Sequence, residues 1–115
     1  MLQMPHQSFL PLPSQPMYYE DDFRRVLEDH LFYIRSAADT KVVQIDPGLA
    51  WRFEYDFYAF LRYQSVPSHL HWLIMRLTGM YSPDQFTRNK QIYFYPDETL
   101  LERIRSNHNS LNRII

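Results

Sequence analysis

The stretch Leu70-His71-Trp72-Leu73-Ile74-Met75-Arg76-Leu77 constrains this chain more than any other. Wound as a helix, it has almost no side that water would favour, because Arg76 is its only charged residue. The boundaries of that helix are also legible. Pro67 disfavours helical geometry at Val66, Ser68 is a natural N-cap, and Gly79 offers a left-handed stop. A helix apolar on nearly every side must be enclosed by the remaining chain. With 115 residues, that means one core with room for arms on either side.

The neighbouring segments supply the enclosure. Residues 19–38 predict an amphipathic helix whose stripe is Phe23, Val26, Leu27, His30, Leu31 and Ile34, with Glu20, Asp21 and Asp22 complementing the dipole of its first turn. Residues 41–47 predict a strand closed by a turn at Asp46-Pro47-Gly48. A helix over 53–63 carries Phe53, Phe57, Phe60 and Leu61, and 90–96 predicts a second strand that Pro96 ends. A short helix follows from about Asp97, with Leu100, Leu101 and Ile104 on one face and a polar tail behind it. The expected class is therefore α+β. Its centre is a β-α-α-β unit over 41–97 with antiparallel strands and both helices on one face. Its expected core comprises Val43, Ile45, Phe57, Phe60, Leu61, Leu70, Trp72, Leu73, Ile74, Leu77, Ile92 and Phe94.

The N-terminal arm, 1–18, is of another kind. Residues 1–17 hold four prolines and no Asp, Glu, Lys or Arg, which predicts an extended, partly polyproline II segment. Phe9, Leu10 and Leu12 are its expected anchors on a partner. Aromatic residues make up 17% of the chain, which suits a surface built for contact.

Composition narrows the chemistry. A net charge of -1 gives no general attraction to nucleic acid or acidic lipid, and with no cysteine there is neither a disulfide nor a thiolate metal site. No apolar run reaches membrane-spanning length, and the N-terminus lacks a signal-peptide layout. Glycine occurs only at positions 48 and 79, so phosphate-cradling loops are excluded. His69 and His71 would point roughly 200° apart on a helix, so they do not predict a metal site. The carboxylates Asp21, Asp22, Glu28 and Asp29 belong to the outer face of an amphipathic helix, and no nucleophile turn is present. The pair of helices over 53–78 does not predict a DNA reader, since its second helix offers Arg76 alone. No catalysis, cofactor, nucleic acid or membrane is expected.

One succession of segments carries a resemblance. Val42-Val43-Gln44-Ile45 is followed by Arg52 with Asp56, Tyr58 through Tyr63, and Leu70-His71-Trp72-Leu73-Ile74; then come Thr78-Gly79-Met80, Pro83 and Ile92-Tyr93-Phe94-Tyr95-Pro96. Over residues 42–96, about half the chain, this resembles the LysM-like domain of baseplate wedge proteins in contractile-tailed bacteriophages. His71 stands where that family usually has a tryptophan, Thr78 where it has an asparagine, and Tyr63-Gln64 where it has Tyr-Gly. The resemblance implies a structural virion protein, made in the host cytoplasm and present in several symmetric copies that tie baseplate, sheath or hub proteins together. Partner contacts are then expected from Phe9, Leu10, Leu12, Phe23, Leu27, Leu31, Ile34, His71, Ile114 and Ile115. Peptidoglycan-binding LysM modules carry Gly-Asp-Thr after the first strand, which is absent here, so no sugar-contacting residue is carried over. A cell-wall-binding module remains the alternative.

Overall fold

The two segments rich in β-branched and aromatic residues pair with each other. In the computed structural model, which describes residues 21–114 and the side chains of 21–107, β1 (Lys41–Gln44) runs antiparallel to β2 (Ile92–Tyr95). The register sets Lys41 opposite Tyr95, Val42 opposite Phe94, Val43 opposite Tyr93 and Gln44 opposite Ile92. Six α-helices surround this pair among the described residues, giving a small mixed α+β domain: α1 (Asp21–Asp29), α2 (Leu31–Ser36), α3 (Pro47–Arg52), α4 (Phe57–Tyr63), α5 (His71–Leu77) and α6 (Glu98–Ile114). No helix among the described residues is long and apolar enough to cross a membrane.

The single helix expected over 19–38 is two helices, broken at His30. The His30 amide donates to Leu27 O at 3.0 Å instead of to Val26. The His30 imidazole takes over that orphaned carbonyl, Nδ1 lying 2.7 Å from Val26 O. A side chain thus replaces one backbone donor, and the chain turns. Nor is Asp46-Pro47-Gly48 a turn. Asp46 caps α3, its Oδ2 accepting from the Leu49 amide at 3.1 Å, and Pro47 opens the helix. Asp and Pro serve turns and helix starts alike, which is why sequence alone misplaced them. The expected helix over 53–63 begins late. Tyr55 turns the chain at φ 69°, and Asp56 caps α4 through the Ala59 amide at 3.2 Å.

Both α4 and α5 end in the same way. Ser65 N–H reaches Arg62 O and Val66 N–H reaches Leu61 O; Gly79 N–H reaches Arg76 O and Met80 N–H reaches Met75 O. These are Schellman closures, and Leu61, Val66, Met75 and Met80 are all buried beside them. Gly79 takes the left-handed position at φ 92° as expected, while in α4 Ser65 does so at φ 63°. Ser68 makes no side-chain cap; it begins a single 3-10 turn, Ser68–Leu70, ahead of α5. Thr78 then ties the end of α5 to the sheet, donating to Ile74 O at 2.7 Å and accepting from the Phe94 amide at 3.4 Å.

The core centres on aromatic rings. Phe57 and Phe60 lie 5.0 and 5.1 Å from Phe86, and 6.5 and 5.8 Å from Tyr93, between ring centroids. Leu61, Leu70, Leu73, Ile74 and Leu77 continue this cluster, and so do Phe23 and Leu27 of α1, Ile34 of α2 and Leu100, Leu101 and Ile104 of α6. The flanking helices therefore share one core with the strands. On β2 the buried residue is Tyr93, not Ile92 or Phe94, which are only half-buried. A strand apolar on both faces gives no alternation to read. Burial pushes the Tyr93 hydroxyl above its ordinary value, with Tyr95 adding to the effect.

Candidate interaction site

Between α1, α4 and the start of α5 lies a cleft of about 250 Å³, lined by Arg24, Tyr58, Arg62, Ser68, His69, His71 and Trp72. Among the described residues, two arginines and no carboxylate line it. The Arg24 guanidinium sits 4.9 Å from the Trp72 ring centre, within reach of a cation–π attraction. Burial pushes the Tyr58 hydroxyl up, against the opposing charge of Arg24, so the phenol stays protonated at neutral pH.

Both histidines reach this cleft, contrary to the expected opposite facing. The segment does not begin as one α-helix, so the two rings share no helical phase. Their nitrogens still do not converge. His69 Nε2 lies 3.2 Å from Glu98 Oε1, and His71 Nε2 lies 2.9 Å from Val66 O. Among the described residues no group of three or more His, Cys, Asp or Glu side chains could hold a metal ion.

His71, expected at a subunit contact, is buried instead, and its ring lies 5.6 Å from Tyr58. A carbonyl can only accept, so the Val66 bond places the proton on Nε2 and leaves Nδ1 a bare acceptor. Burial holds the imidazole below its ordinary value; the Val66 bond opposes this, and Arg62 and His69 add to the lowering. The unfolded chain therefore binds the His71 proton more readily than the native one. Its contribution to stability is whole above the unfolded value of about 6.5 and is lost as pH falls from there through the lower native value. Urea unfolding at pH 7.5 and pH 5.5 should show a smaller loss for His71→Gln than for the native sequence. Equal losses would place the ring in water.

The helix stripe expected to meet a partner is covered by the chain itself: Phe23, Leu27 and Ile34 are 1%, 0% and 0% exposed. Leu31 is half-buried against the same core. A stripe at helical spacing marks burial but not by whom. Phe9, Leu10, Leu12 and Ile115 lie outside the described residues, and of Ile114 only its place at the end of α6 is described.

What the surface offers instead is Phe32, Tyr33, Val42, Trp51, Tyr55, Tyr63 and Tyr81, each more than half exposed. Trp51 lies on α3, Tyr55 in the turn that follows it, and Tyr63 at the end of α4. The Arg52 guanidinium lies 5.3 Å from the ring centres of both Phe53 and Tyr63, which are themselves 5.4 Å apart. Trp51 precedes this stack and Tyr55 follows it in the turn. The turn is braced, with the Tyr55 amide 2.6 Å from Phe86 O and the Glu54 carboxylate accepting from Arg88 Nε at 3.0 Å. The surplus of aromatics over what one small core can hold was visible in composition, but composition does not say which rings stay outside.

Arg76, the one charge on α5, faces inward. Its Nε and Nη2 donate to Glu28 of α1 at 2.7 and 2.6 Å, Nη1 donates to Met80 O at 2.8 Å, and Tyr81 covers the guanidinium at 4.1 Å. Glu28, expected on a solvated face, is thereby half of a strut between α1 and α5, and Arg76 holds its carboxyl below the ordinary range. No protein-family model matches the chain, and no match to it is found among curated proteins or solved structures.

Proposed function

We propose that this chain is a non-catalytic connector of a contractile phage-tail baseplate. In this role a LysM-like module is held rigidly while its exposed rings and its termini grip neighbouring baseplate, sheath or hub proteins. The observation that carries the proposal is the set of seven large apolar side chains that, among the described residues, are left more than half exposed although the helices are already closed on one core. Aromatic surface of this kind is costly to leave in water and is typical of interface centres. The antiparallel β1–β2 pair supports the resemblance only coarsely, because three helices, α3, α4 and α5, lie between its strands where the β-α-α-β order has two.

The test is to raise antibody against the chain and label purified contractile tails. Gold restricted to the baseplate end is expected. Absence of the chain from purified particles would overturn the proposal. So would strong retention of the purified protein on insoluble peptidoglycan, which favours a cell-wall-binding module.

A further inference from the structure

We propose that the cleft between α1, α4 and the start of α5 binds a phosphate group, as the free ion or a small monoester, whose O–H donates to His71 Nδ1. Four lining residues supply donors for the phosphate oxygens. Arg24 of α1 and Arg62 of α4 bring guanidinium N–H groups with positive charge, and Tyr58 and Ser68 bring hydroxyls. Tyr58 and Arg62 stand four residues apart on α4, so one helix face carries both. Among the described residues no carboxylate pairs with Arg62. The cleft, at about 250 Å³, falls below the range of drug-sized ligand pockets, about 300–1,000 Å³, and therefore suits a small ligand.

His71 selects among anions. Its side chain lines the cleft yet is buried, and Nε2 is committed to Val66 O. Nδ1 is then an acceptor to which nothing among the described residues donates, and burial keeps the ring neutral. An ionised carboxylate or a sulfate brings lone pairs alone, which would oppose the Nδ1 lone pair. Hydrogen phosphate brings both kinds of group at neutral pH: acceptor oxygens for the arginines and hydroxyls, and one O–H for Nδ1. A monoester, whose second ionisation lies at about pH 6, retains such a proton at little cost. Of the other charged groups nearby, His69 also lines the cleft, while Glu98 of α6 bonds His69 Nε2 at 3.2 Å and stands outside the lining. None of this depends on phage origin.

The test is to titrate the nitrogen-15-labelled full chain with sodium phosphate, methyl phosphate and sodium sulfate at constant ionic strength. At pH 7.5 phosphate should shift the Arg62 Nε–H, Trp72 indole and His71 ring signals saturably, with Nδ1 moving toward the position of a protonated nitrogen. Sulfate, which carries no proton, should bind about tenfold more weakly, the cost of facing a buried acceptor without a donor. At pH 5.5, where a proton is available to His71, that gap should narrow. Protonation of His69 would strengthen both anions alike, so the ratio is the readout. Arg62→Gln, at an exposed position, should weaken phosphate about tenfold with the rest of the spectrum unchanged. Tighter methyl phosphate identifies a monoester and tighter phosphate the free ion, and either supports the site. Shifts that never saturate, equal affinity for sulfate and phosphate at pH 7.5, or full affinity in Arg62→Gln would overturn it. Saturable phosphate binding by a chain absent from purified tails would remove the connector proposal and leave this one standing.

Discussion

Phe57→Ala is expected to lower the unfolding free energy by about 3–5 kcal/mol, the range for deleting a fully buried aromatic ring. Phe57 is completely buried, with Phe86, Phe60 and Tyr93 at 5.0, 6.0 and 6.5 Å between centroids. These neighbours come from three separate parts of the chain: α4, the loop before β2, and β2. The cavity therefore cannot be closed by the shift of one element, which puts the cost toward the upper end. Domains of this size are typically stable by about 5–15 kcal/mol, so the variant should be near the edge of folding at 37 °C. Urea unfolding followed by far-ultraviolet circular dichroism measures the change. Phe57→Leu should recover most of it, and a cost below about 1 kcal/mol for the alanine variant would contradict the packing.

Arg76→Ala should cost about 2–3 kcal/mol by the same measurement, because it removes a bidentate charge-assisted pair and leaves Glu28 and the Met80 carbonyl short of a donor. The Arg76 side chain is 10% exposed, so water replaces its bonds poorly. Arg76→Lys should not restore the loss, since an ammonium cannot hold both carboxylate oxygens and lie flat on Tyr81. Arg88→Ala is the contrast. Arg88 makes a similar pair with Glu54, but its side chain is 58% exposed, so its loss should be clearly the smaller of the two.

Sequence pattern was most informative where a single physical demand dominated. The apolar run of α5, the left-handed stop at Gly79 and the antiparallel strand pair follow from burial, backbone freedom and β-branched composition. It was least informative where one residue type serves two ends. Asp46 and Pro47 start a helix as readily as they make a turn. Ile92-Tyr93-Phe94-Tyr95 could have buried either face, and the register with β1 chose Tyr93. His30 breaks a helix only because its ring can reach the Val26 carbonyl, a geometry that spacing alone does not contain. The candidate surfaces suffered most. Phe23, Leu27 and Ile34 had the right pattern for contact and are covered by their own core. Trp51, Tyr55 and Tyr63 had no pattern at all and are outside. Whether an apolar residue is inside is decided by what the rest of the chain leaves uncovered, and that is a tertiary fact.

The strand register has a mechanical consequence. Lys41, where the chain enters β1, is paired with Tyr95, where it leaves β2. Tension between the two ends of the chain would thus load this ladder from one end, opening its hydrogen bonds one after another instead of shearing them together. A two-stranded ladder pulled that way is a weak link. Here α1 and α2 precede it, α6 follows it, all three bury side chains in the common core, and α1 touches α6 directly. A pull entering through either terminal segment meets that helical packing before it reaches the strands. The flanking helices act as strain relief, sparing the sheet a load applied at the ends of the chain.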